Sequence, residues 1–131
     1  MSDILDVESL GRRAEAMLEE LAAISEDPDR LTRRYLTPEH KRAAHLVAQW
    51  MAEATMTTSE DALGTVIGHF AAEGEAPGAN AVPRLLVGSH IDTVINAGKY
   101  DGMLGVVAGI LAIEHFRDLG RRFPFAVDVL A

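Results

Sequence analysis

The chain has 131 residues, 48% hydrophobic and 24% charged, enough for one domain with a real core. Its net charge of −8 argues against a nucleic-acid partner, because such domains carry a basic face. It has no cysteine, which excludes disulfides and thiolate metal sites, and its longest apolar stretch, Met103 to Ile113, is too short to span a bilayer.

The first twenty residues are charged and contain no signal-peptide apolar core. The expectation is a soluble cytoplasmic protein that engages neither nucleic acid nor membrane. Leu10, Ala14, Met17, Leu18, Leu21 and Ile24 recur at helical spacing, predicting an amphipathic helix over roughly residues 5–25. A polar connector, "SEDPDRLTRRYL", follows. Thr37 then offers a cap, Pro38 suits the first helical position, and Glu39 complements the dipole. Ala43, Leu46, Val47, Trp50, Met51 and Ala54 form the apolar stripe of this second helix. His40 and His45 are five apart, do not share a face, and read as helix-surface residues.

From Thr55 the composition turns to Thr, Val and Ile around an Asp61–Gly64 turn, which predicts a hairpin. The Gly/Pro/Ala stretch "AEGEAPGANAVP" reads as a surface loop where motion is expected, with Glu73 and Glu75 solvated. Arg84 to His90 reads as a strand buried on both faces. A helix from Met103 to Leu119 carries Gly105, Ala108, Gly109 and Ala112, small residues that let it lie close on a sheet, and Gly120 suits its C-cap. "FPFAVDVLA" begins another strand. Helices alternate with strands, so the fold class is α/β with a mixed sheet and flanking helices. The ending directly after a strand leads us to expect a fragment of a longer polypeptide.

The chemistry concentrates in "GSHIDTVINAGKYDG". His90 and Asp92 are two apart at a strand end, so alternation places them on one face. Asp101 comes just before a helix. An imidazole and carboxylates suit Zn²⁺ or Mn²⁺. Asp92 accepting the second N–H of His90 would fix its tautomer. The same residues also read as a hydrogen-bonded structural histidine and an ordinary N-cap aspartate. Zinc takes at least three protein ligands, so His90 and Asp101 need others. His69, in the hairpin, has nothing to recommend it; His115 and Glu114 lie about three helical turns from Asp101. A Gly-x-Ser-x-Gly elbow and a phosphate loop are absent.

The stretch "GSHIDTVINAGKYDGMLGVVAGILAIEHF", with "LTRRYLTPEHKRAAHLVAQWM" and "EDALGTVIG" upstream, resembles the metal-binding segment of the co-catalytic metallohydrolases related to aminoacylases and zinc carboxypeptidases. It is most similar to the branch of allantoate amidohydrolases, N-carbamoyl-L-amino acid hydrolases and β-ureidopropionases. The resemblance implies two divalent ions, Mn or Zn. It implies that His90 ligates one ion, that Asp101 bridges both, and that Asp92, the residue given a catalytic part, orients the imidazole. The family has paired glycines where this chain has Ala97-Gly98. Its general base, a Glu after the next strand, its remaining ligands and its lid and dimerisation domain correspond to nothing here, so residues 1–131 are expected to be a partial catalytic domain, inactive alone and prone to associate. The implied activity is hydrolysis of a linear amide or ureido C–N bond in a small molecule. Allantoate, giving ureidoglycine, ammonia and carbon dioxide, is the leading substrate, and the complete relative is expected to be a homodimer. The alternatives are an N-carbamoyl-L-amino acid hydrolase or dipeptidase of the same fold, or a non-catalytic module binding a metal or a partner.

Overall fold

A computed structural model describes residues 6–78 and 82–131. The expected start of the first helix at residue 5 and the centre of the 71–83 loop lie outside them. Helix α1 spans Val7–Ala22; Asp6 caps it by accepting from the Ser9 amide at 3.0 Å. Its stripe buries Met17, Leu18 and Leu21. Helix α2 spans Pro38–Glu53, with Thr37 accepting from the His40 amide and Pro38 in the first turn, as its sequence signals require.

Strands β1 (Thr57–Glu60) and β2 (Val66–Phe70) form the antiparallel hairpin. Asp61 closes its turn by accepting from the Leu63 and Thr65 amides at 2.8 and 2.9 Å, and Gly64 supplies the positive φ. Strand β3 (Arg84–Gly88), helix α3 (Met103–Asp118) and strand β4 (Ala126–Leu130) complete the chain. The sheet order is β1-β2-β4-β3; β4 is antiparallel to β2 and parallel to β3, so the sheet is mixed. Helix α2 lies against β1 and β2, α3 against β3 and β4, and α1 against α3. The core sits between these helices and one sheet face, with Val47, Met51, Val66, Phe70, Val106, Val107, Ile110 and Val129 all but fully buried.

Small residues allow the close approach. A Cβ on Gly109 would lie 3.2 Å from Val87 and Val129, and one on Gly105 would lie 2.8 Å from the Ser89 Cβ. Ala108 and Ala112, expected to lie close on the sheet with these glycines, are exposed. At the far end of α3, Arg121 N–H donates to Phe116 and Gly120 N–H to Arg117, with Gly120 at φ 63°, a Schellman closure.

Three expectations are corrected. β3 is not buried on both faces: it pairs only with β4 among the described residues, and Leu85 and Leu86 are 50% and 61% exposed. His40 is not a surface residue. It is buried at the start of α2, edge-on to the Tyr35 ring at 5.3 Å. Glu75 is not solvated, for the loop folds its carboxylate against His69 (3.1 Å) and the Ala72 amide (2.8 Å), leaving the side chain 6% exposed.

Candidate functional site

The segment from Ser89 to Gly102 crosses from the end of β3 to the start of α3 without regular structure. It is strapped along the connector between α1 and α2. Thr93 N–H donates to the Arg33 carbonyl (2.8 Å), Arg33 N–H donates to Thr93 Oγ1 (2.7 Å), Asn96 N–H to Thr32 Oγ1 (3.1 Å), and Ala97 N–H to the Leu31 carbonyl (2.9 Å). Ile91 and Thr93 point inward and are buried, leaving His90 and Asp92 outward. The positive φ of this turn falls on Asn96, at 57°, and not on Ala97 or Gly98, so alanine is tolerated at position 97.

The three candidate residues come together. His90 Nδ1 lies 2.9 Å from the Asp92 carbonyl and 3.3 Å from its carboxylate, and Nε2 lies 3.8 Å from Asp101 Oδ1. A carbonyl only accepts, so Nδ1 carries the proton in that contact. Nε2 is the ring nitrogen that faces Asp101. All three side chains keep solvent access, at 53%, 44% and 66% exposure. Asp101 does not cap α3: Gly102 occupies the N-cap position, and no side chain bonds the first turn. The carboxylate is thereby free for another role.

Gly102 makes the arrangement possible. Its φ is 80°, and a Cβ there would lie 2.4–2.5 Å from three atoms of the His90 ring. The imidazole therefore rests on the bare Cα at the start of α3.

Sequence reasoning missed Arg33 and His40. Arg33 is fully buried; its Nε donates to the Ile91 carbonyl (2.9 Å) and Nη1 to the carbonyls of Leu21 (2.6 Å) and Ile24 (2.7 Å). Burial pushes its pKa down to about 10, against the opposing pull of Asp92, so it stays cationic at neutral pH. Its neighbour Arg34 is exposed and pairs with Glu26, and nothing in the dipeptide distinguishes the two. His40 shares a recess of about 290 Å³ with Tyr35, Ser89, His90 and Asp92. Burial holds its imidazole below the ordinary histidine range, with Asp92 opposing. The larger recess of about 530 Å³ between α1 and α3 is apolar apart from His115 and offers no such chemistry.

A second polar cluster lies on the sheet face turned away from the helices. Asp128 on β4 meets His69 Nδ1 at 2.6 Å and Arg84 Nη1 at 3.0 Å, and His69 Nε2 meets Glu75. Gly68 packs on Met51 of α2, so alternation puts His69 on the opposite face.

The donor set at His90 and Asp101, one imidazole nitrogen and one carboxylate oxygen, suits a borderline divalent ion. Among the described residues no group of three or more His, Cys, Asp or Glu is arranged to hold a metal ion, so these two do not complete a coordination sphere.

No family model matches the chain. It is 37% identical over 132 residues to allantoate deiminase 2 of Glycine max, covering 98% of this chain and 26% of that protein. It is 36% identical over 115 residues to the N-carbamoyl-L-amino-acid amidohydrolase of Pseudomonas sp. (strain NS671), covering 87% and 27%. A hydantoinase/carbamoylase family amidase from Burkholderia ambifaria superposes with TM-score 0.82 at 30% identity, over 92% of this chain and 29% of that one. The chain is homologous to the allantoate deiminase and N-carbamoyl-amino-acid amidohydrolase branch. It spans about a quarter of the length of these curated relatives. This segment presents an oriented histidine opposite a carboxylate just beyond the end of a sheet strand. No helix among the described residues is long and apolar enough to cross a membrane.

Proposed function

We propose that this chain supplies the His90–Asp101 part of a metal centre in an amidohydrolase that cleaves a linear amide or ureido C–N bond of a small molecule, with allantoate as the leading substrate. The observation that carries this reading is the pinned imidazole: Nδ1 is engaged by Asp92, while Nε2 faces Asp101. His90 would hold the ion through Nε2, Asp101 would hold it through a carboxylate oxygen, and Asp92 would keep the ring in the ligating tautomer. Two divalent ions, Mn²⁺ or Zn²⁺, would supply Lewis-acid polarisation of the substrate carbonyl when bound. His40 and Tyr35 wall the recess beside His90. The general base and further ligands are assigned to the rest of a cytoplasmic, homodimeric protein, of which this chain is part of the catalytic domain.

An N-carbamoyl-L-amino acid is the second reading, because relatives of both names match at nearly the same identity. The test is ammonia release from allantoate by the full-length protein, with an N-carbamoyl-L-amino acid panel beside it. Chelation and His90→Ala should each lower turnover at least about 100-fold. Turnover that survives both would refute the metal reading; a clear preference for carbamoyl substrates would replace allantoate.

A further inference from the structure

Arg33 is the most heavily bonded side chain near the site, yet no carboxylate among the described residues bonds it. Its guanidinium gathers three parts of the fold. Nη1 takes the last carbonyls of the α1 region, Leu21 and Ile24; Nη2 reaches Met103 Sδ in the first turn of α3; and Nε takes the carbonyl of Ile91. That last acceptor belongs to the residue between His90 and Asp92. Holding the Ile91 carbonyl inward fixes the peptide plane leading into Asp92, whose own carbonyl then receives His90 Nδ1. The Arg33 backbone adds two bonds to Thr93, one in each direction.

We propose that Arg33 is the positioning residue of this centre: by fixing the Ile91–Thr93 backbone it sets the orientation in which His90 presents Nε2 towards Asp101, and so sets cation affinity. The inference rests on the metal reading above. Lysine cannot replace it, because one ammonium lacks the planar fork that serves several carbonyls at once.

The test compares wild type with Arg33→Met, Arg33→Lys and Thr93→Val. Mn²⁺ affinity is measured by electron paramagnetic resonance, and the His90 tautomer by ¹⁵N NMR across a pH series. Met51→Ala, a core change under Gly68, serves as a control for lost stability. Arg33→Met should weaken Mn²⁺ at least about tenfold and Thr93→Val about threefold, on the scale of outer-shell changes at metal sites. Arg33→Lys should fall between wild type and Arg33→Met. The Nδ1–H tautomer should lose its predominance in Arg33→Met, while Met51→Ala leaves affinity and tautomer unchanged. Wild-type affinity and tautomer in folded Arg33→Met would overturn the proposal. If both Arg33 variants fail to fold, Thr93→Val decides, and wild-type values there would overturn it. A wild-type protein that binds no Mn²⁺ would sink the metal reading instead; the tautomer would still judge Arg33.

Discussion

The His90 ring lies directly on the Cα of Gly102, with no room for a single added methyl group between them. This pairing links the two ends of the 89–102 segment and explains why the start of α3 carries a glycine in place of a capping side chain. Gly102→Ala would meet both a strained φ of 80° and the imidazole. We expect a loss of about 1–3 kcal/mol in stability, with His90 displaced and Mn²⁺ binding abolished. Calorimetry and a Mn²⁺ titration check this. A variant that binds like wild type would show that the ring does not need this seat.

The buried Asp128 carboxylate holds β2 and β3 together across β4 through His69 and Arg84. Asp128→Asn keeps the shape but removes the charge and one acceptor. It should cost about 1–3 kcal/mol, because the one remaining oxygen cannot serve both His69 and Arg84. Cation binding at His90 should be unaffected. Thermal melts together with a Mn²⁺ titration separate these two effects, and an unchanged melting temperature would show the cluster to be energetically neutral.

His40 should make stability depend on pH. Its folded pKa lies below the unfolded value of about 6.5 because it is buried. Between those two values the unfolded chain binds more protons, so stability rises with pH through that window. The contribution is complete above the unfolded pKa and is lost as pH falls through the folded one. His40→Phe, which keeps an aromatic ring beside Tyr35, should flatten the fall in melting temperature as pH drops below about 6.5. An unchanged slope would place the dependence elsewhere.

Much of the frame was legible in the sequence because local signals encode it. The Thr37-Pro38 cap, the Asp61–Gly64 turn and the Gly120 stop each act within a few residues, and each appears as read. What was not legible depends on distant partners. Arg33 and Arg34 are adjacent and identical, yet one is fully buried under Ile91 and the other pairs with Glu26 at the surface. Only the path of the 89–97 segment decides which is which. β3 was readable as a strand, but its exposure depends on which strands flank it. Glu75 looked like loop charge because its partner His69 is brought to it by the hairpin. At the site, the spacing of His90, Asp92 and Asp101 pointed to a meeting, while the seat on Gly102 was invisible until the backbone was placed.

The sheet order carries a consequence for how the chain assembles. β2 and β3 are not neighbours; both pair with β4, which is made after them. A growing polypeptide whose first 120 residues have emerged already displays His90 and Asp101, but β3 still lacks its β4 partner. The hairpin can close early because its contacts are local, whereas the parallel pairing of β3 with β4 must wait for α3 to form and turn back. Until that strand arrives, the backbone groups of β3 that β4 will satisfy stay open to other strands.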